Sequence, residues 1–391
     1  MARTSESAIR LPLRDNSAGR GLMIMTLALL ALGVVMVHSA MASARAPGAW
    51  YTRPEFRHTV FAVAAVVAML IAWMFDYHRL SRGRIVPTIP AIVLVLSLAL
   101  GVLVFVPGIG HSIGGDARWV RIGPAQYAIG FQPSELIKFS IVIFLAAWLA
   151  REQTDPRSFW KTFVPAMALT GLAAAIVITQ DFGTGMIIGV AAVVTLLLAG
   201  VPWHYFLTLL PPAAAACYFL VYKSEHRWVR ITAWLDPWSL TNNSAYQPRQ
   251  SLLAIMTGGW LGKGPGNGIQ KLGFLPEDTT DFLFSAYCEE FGFIGAALLM
   301  ALVILWIWQA RRVTVSAGDR LGRVLAGSLG FLLASQAVLH FAVDSSMFPP
   351  TGASLPFMSA GGTALVLAAG AVALMVSVTA YRPQGTLEQN H

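Results

Sequence analysis

Charge is what this sequence has least of. Asp, Glu, Lys and Arg make up 12% of its 391 residues, against about a quarter in an average soluble domain. So few charges cannot clothe a water-facing surface of this size, which excludes an ordinary soluble enzyme. The solvent must be largely lipid, where helices satisfy backbone polar groups internally. Cysteine is nearly lacking too. Cys217 and Cys288 both fall inside apolar runs, which excludes a disulfide framework. The eight histidines are scattered, and no zinc-ligand spacing, Ser-His-Asp order or dinucleotide fingerprint occurs. No cleavable signal peptide is expected. The first apolar run, from Gly21, is as long as a true span and has no small-residue cleavage site before the next. The net charge of +8 would suggest nucleic acid in a soluble chain. Here basic residues flank membrane spans, so no nucleic-acid partner is expected.

Long apolar runs are what is present, and they predict an all-α, polytopic integral membrane protein. A crossing needs about 20 mostly apolar residues. About ten runs qualify, at 21–40, 58–75, 87–106, 134–150, 163–179, 185–202, 204–222, 282–308, 324–345 and 359–381. Polar tails, 1–20 and 382–391, flank one membrane domain, 21–381. The short loops holding Arg79, Arg82, Arg84, Arg151, Arg157, Lys161, Arg311, Arg312, Arg320 and Arg323 are the more basic set. By the positive-inside rule both termini are then cytoplasmic. Three outward segments are more than connectors: 107–133, rich in Gly and Pro; 223–281; and 347–358. A loop as long as 223–281 should carry folding or function of its own. Its WVRITAWLDPW stretch reads as an interfacial helix.

Ionisable residues in or beside a membrane are costly and so draw attention. Glu135 and Lys138 open the fourth run at i,i+3, where they can pair or line a cavity. Asp181 precedes a Gly/Thr turn and suits a helix cap. Asp281 stands where the long outer loop enters the eighth run, with Glu289 and Glu290 about two turns deeper. It reads as a cap or as a general base or cation ligand. Between Gly258 and Lys271 the sequence GGWLGKGPGNGIQK combines backbone donors with Lys263 and Lys271. It lacks the Gly-Lys-Ser/Thr ending of a Walker loop. A plain glycine-rich turn and a phosphate cradle both remain open.

The blocks ARWVRIG (117–123), FQPSELIK (131–138), QDFGTG (180–185), RWVRITAWLDPW (227–238), the run 246–292 and FPPTGASLPFMSAGG (348–362) together resemble the SEDS family of shape, elongation, division and sporulation proteins, which includes RodA and FtsW. GPGNGIQKLGFLPE is somewhat more like the FtsW branch. The resemblance covers nearly the whole chain. It implies a peptidoglycan glycosyltransferase that polymerises lipid II at the outer face of the bacterial cytoplasmic membrane and releases undecaprenyl pyrophosphate. It implies a class B penicillin-binding protein, a single-span transpeptidase, as partner. Asp281 falls on the family's essential acid, and Trp119 on the tryptophan of the first outer-loop motif. Arg118, Gln132, Ser134, Glu135, Lys138, Lys271, Glu289 and Glu290 are the other substrate-binding candidates. No resident cofactor is implied, and a divalent cation such as Mg or Mn is left open. A flippase of lipid-linked precursors and a non-catalytic scaffold are the alternatives. The departures from the family pattern are Ala117, Gln180, Thr279, His340 (usually Asn), Ser346 (usually Gly) and Ala360.

Overall fold

The computed structural model describes residues 9–10, 12, 15–41, 53–81, 88–107, 110–113, 116–122, 129–238 and 245–382. Twelve α-helices are formed among them: α1 Ser17–Met41, α2 Pro54–Trp73, α3 Ile89–Leu103, α4 Pro133–Leu149, α5 Val164–Ile178, α6 Phe182–Leu198, α7 Leu210–Cys217, α8 Glu225–Leu235, α9 Tyr246–Gly258, α10 Leu283–Val315, α11 Arg320–Asp344 and α12 Thr363–Ala380. Prolines sit in the first turn of α2, α3, α4 and α5, where a missing N–H costs no helical hydrogen bond. Asp181 caps α6 as expected, its carboxylate accepting from the Thr184 N–H at 3.1 Å and the Thr184 hydroxyl at 2.6 Å.

Seven helical segments are long and apolar enough to cross a membrane: Ser17–Met41, Pro54–Trp73, Phe159–Ile178, Trp203–Tyr222, Leu283–Val315, Arg320–Asp344 and Thr363–Ala380. The count of ten from hydropathy exceeds this by three. α3, α4 and α6 are helices at the expected places but only 15, 17 and 17 residues long. The strands β1 (Ile9–Arg10) and β5 (Tyr381–Arg382) pair antiparallel, which sets the segment before α1 beside the segment after α12. α1 begins at Ser17.

Helices α4, α11 and α12 form the centre. Most of α4 is buried, including Glu135 and Lys138. α12 packs against α1, α2 and α11 through small side chains such as Ala368, Ala369, Ala371, Ala373 and Ser377, which let apolar helices approach where lipid supplies no hydrophobic drive. The Trp203–Tyr222 segment has no buried residue and forms the periphery. The segment 107–133 adds three short strands beside the helices. β2 (Gly110–Ile113), β3 (Asp116–Ile122) and β4 (Ile129–Phe131) build a three-stranded antiparallel sheet in the order β2-β3-β4. The segment 223–281 carries α8 and α9.

Candidate active site

The glycine-rich segment closes over a break in α10. Gly292 sits at φ 65° inside that helix, which frees backbone groups on either side of it. The outer loop takes them up: Lys263 and Gly264 donate N–H groups to the carbonyls of Glu289 and Glu290, each at 3.0 Å, while Phe293 N–H reaches the Gly259 carbonyl at 2.8 Å. Gly262, at φ 79°, lies so close to the Glu290 carbonyl that a Cβ would collide with it. The side chains complete this zipper. Glu289 accepts from the Lys263 ammonium at 2.6 Å and from the N–H groups of Ile269 and Gln270, each at 3.0 Å. Glu290 accepts from Lys271 at 2.8 Å, from Gly266 N–H at 3.1 Å and from the Ser39 hydroxyl. Lys271 also donates to the Ser39 carbonyl at 3.0 Å. Glu289, Glu290 and Lys271 were candidates for holding substrate. Here all three are buried and their polar atoms bind one another and the loop backbone. In this structure the segment is a turn held against the α10 break.

A similar outcome holds for α4. Lys138 donates to both carboxylate oxygens of Glu135, at 2.9 and 2.8 Å, and to the Gln336 side-chain oxygen at 2.8 Å. The adjoining cavity, between Glu135, Gln336 and Ser354, measures about 10 Å³, room for roughly one water. Ser134 is buried and Gln132 is half-buried at the helix start, with no side-chain cap bond. Trp119 lies half-buried on β3 with its ring over Gly130 of β4. Arg118 is on the same strand, and its side chain is outside the described residues.

Asp281 differs from all of these. It is delivered by a tight turn in which the Glu277 carbonyl accepts N–H groups from Thr280, Asp281 and Phe282, at 3.0–3.1 Å. A second loop straps the turn down: Ala360 N–H donates to the Thr279 carbonyl at 2.9 Å and the Ser359 hydroxyl to the Thr280 carbonyl at 2.8 Å. The Asp281 carboxylate faces Gly352, where a Cβ would stand 3.5 Å from its Oδ2. Burial, and next the Glu277 carboxylate, push the Asp281 acid up to about 6, with His340 acting in the opposite direction. Asp281 does not cap α10. That task falls to Asp344 at the end of α11, whose Oδ2 accepts the Ser285 N–H at 3.0 Å and the Ser285 hydroxyl at 3.2 Å. Asp344 was not among the candidate residues, and His340 entered only as a departure from the family pattern. The signal that finds them is two ionisable residues at i,i+4 inside one apolar span. Among the described residues no group of three or more His, Cys, Asp or Glu side chains is disposed to hold a metal ion.

Two departures gain a physical account. Ser346 adopts φ 54°, a region costing a side-chain-bearing residue roughly 1–2 kcal/mol, and its carbonyl receives the Trp234 indole N–H at 2.8 Å. Ser346→Gly is therefore expected to raise the melting temperature in detergent, by the equivalent of about 1 kcal/mol; an unchanged or lower value would show that the turn carries no strain. Gln180 is buried beside the Asp181 cap. Nothing in the structure explains Ala117.

The family model of the FtsW, RodA and SpoVE cell cycle proteins matches residues 20–384. The chain is 35% identical over 369 residues to the probable peptidoglycan glycosyltransferase FtsW of Geobacter metallireducens, covering 93% of this chain and 95% of that one. It is 34% identical over 364 residues to the stage V sporulation protein E of Bacillus subtilis, covering 92% and 96%. Among solved structures, a chain of a peptidoglycan synthase complex that coordinates polymerization and crosslinking superposes with a TM-score of 0.74 at 23% identity, covering 92% and 97%. The rod shape determining protein RodA of Thermus thermophilus superposes with a TM-score of 0.62 at 23% identity, covering 92% and 95%. A family match over nearly the whole length, with relatives a third identical from end to end, makes this chain a member of the FtsW/RodA/SpoVE family of cell cycle proteins.

Proposed function

We propose that this protein is a peptidoglycan glycosyltransferase that polymerises lipid II at the outer face of the cytoplasmic membrane, with Asp281 as general base. The observation that carries this reading is the contrast between Asp281 and its neighbours. Glu135, Glu289, Glu290, Asp181 and Asp344 are each tied to a cation or to backbone donors. The Asp281 carboxylate, raised to about 6, is left to act, ionised at neutral pH yet a better proton acceptor than an ordinary aspartate. The 4-hydroxyl oxygen of the acceptor sugar attacks the anomeric carbon of the donor, its proton passes to Asp281, and undecaprenyl pyrophosphate leaves. Lys138 and Lys271 are engaged in buried pairs, which leaves Arg118 as the cation to meet the departing pyrophosphate.

The FtsW relatives, named as probable peptidoglycan glycosyltransferases, support the activity, and the peptidoglycan synthase complex supports a partner, for which a class B penicillin-binding protein is the natural candidate. The closed Glu135–Lys138 contact, with room for about one water beside it, disfavours the flippase reading, which needs a path open to each face in turn. Purified protein given lipid II in detergent, with and without the transpeptidase, is expected to yield glycan polymer; activity that appears only in sealed bilayers would point to transport instead. Orientation is tested separately in a Cys217→Ala background. A cysteine at Asn267 is expected to react with an impermeant thiol reagent outside spheroplasts and one at Ser316 to stay unlabelled. The reverse pattern would put Asp281 on the wrong side for this chemistry.

A further inference from the structure

The start of α1, the end of α10 and the last turn of α12 meet at the membrane face away from Asp281, the cytoplasmic one in the orientation proposed above. Asn16 ties α1 to α12. It is almost wholly buried, its Nδ2 donates to the Thr379 hydroxyl at 2.7 Å, and its Oδ1 accepts the Gly19 N–H at 2.9 Å. Beside this joint lies a cavity of about 310 Å³, at the lower end of the roughly 300–1,000 Å³ of ordinary ligand sites. Asp15, Ser17, Arg311, Arg312 and Ser316 bring polar groups to its lining.

A basic side chain at a membrane edge ordinarily reaches into water and serves as a topological anchor. Arg312 is held in place instead. Its guanidinium stacks on the Trp308 ring one turn earlier, 5.1 Å from the centroid, and donates to Gln309 Oε1 at 3.3 Å and to Ser17 Oγ at 3.4 Å. None of these partners is an anion. Arg311, next to it on the same cavity, is exposed and has no hydrogen bond or ion pair among the described residues.

The charged groups of the lining are these two guanidiniums and the Asp15 carboxylate, a surplus of one positive charge. A phosphodiester carries one negative charge and balances it. A phosphate monoester carries about 1.5 to 2 at neutral pH and would turn the excess toward Asp15. The depth agrees with a lipid. α10 exposes Leu305 and Trp308 just before the arginines, and α1 exposes Ile24 and Leu27 soon after its start. The cavity therefore lies at the level where acyl chains give way to headgroups, and basic pockets between helices at that level bind phospholipid headgroups.

We propose that this cavity holds the phosphodiester headgroup of an anionic phospholipid from the surrounding leaflet, with Arg311 and Arg312 on the phosphate oxygens and the acyl chains against α1 and α10. The site is a full membrane thickness from Asp281, and the inference does not depend on the role given to that residue.

Full-length protein in detergent tests it by native mass spectrometry and thermal melting. The parent is expected to retain one dioleoylphosphatidylglycerol in preference to dioleoylphosphatidylcholine, and to melt higher with the former, since a ligand of the folded state stabilises it by mass action. Arg311→Gln combined with Arg312→Gln is expected to weaken that binding about thirtyfold, from the usual worth of two basic residues beside anionic lipid. Arg79→Gln removes an exposed arginine between α2 and α3 that does not line the cavity, and should bind like the parent. Inorganic phosphate in excess should leave the lipid in place; displacement by it would make this a site for a free anion and overturn the lipid assignment. Parental binding by the double variant, an equal loss in Arg79→Gln, or no preference over phosphatidylcholine would each overturn the proposal as well. Should the double variant not fold, Arg311→Gln decides alone, since it breaks no polar contact among the described residues. About fivefold weaker binding is then expected, and parental affinity would sink the site.

Discussion

Asp281→Asn is expected to lose glycan polymerisation by about 10² to 10⁴-fold, the usual contribution of an acid–base group, while the protein folds and accumulates like its parent. The amide is nearly isosteric but cannot take the acceptor's proton. Stability should not suffer, because Asp281 is not the cap of α10; Asp344 is. The linkage points the other way. An acid raised to about 6 when folded, from an ordinary value near 4, binds its proton more tightly in the native state. Its ionisation therefore removes stability as pH rises between those two values. At neutral pH a neutral Asn relieves that burden, and the melting temperature should equal or exceed the parent's. Glycan synthesis at the parental rate by the folded variant would return Asp281 to a structural role.

The largest loss of stability is expected from Lys271→Ala. It leaves Glu290 buried, its side chain only 2% exposed, without its cation, while the Ser39 carbonyl loses a donor. Removing one partner of a buried ion pair costs about 3–5 kcal/mol. The outer loop should detach from the α10 break, and the protein should melt early in detergent and accumulate poorly. Replacing both partners together, as Lys271→Met with Glu290→Leu, should recover part of that stability, since no buried charge is then left alone. A Lys271→Ala protein with the parental melting temperature but slowed use of lipid II would reverse the assignment and make Lys271 a phosphate ligand.

Hydropathy alone made the chain a helical membrane protein, because the bilayer demands apolar runs whatever packs against them. The family blocks singled out Asp281, and the Gly/Thr turn after Asp181 foretold its cap. Sequence also gave the i,i+3 pairing of Glu135 with Lys138, since helical spacing sets which side chains on one helix can meet. It could not reveal that Gln336, 198 positions away, completes that pair, nor that Ser39 reaches Glu290 across 251 positions. Lys271 therefore looked available to an anion, and the two glutamates to a substrate path, although in the folded chain each has an ion-pair partner. Nor could local pattern show that Asp344 caps a helix it does not belong to, which is what frees Asp281. Hydrophobic period and spacing are properties of a chain segment. The partner of a buried polar group is chosen by whichever distant segment tertiary packing brings within about 3 Å, where an unpaired donor or charge would be too costly to leave.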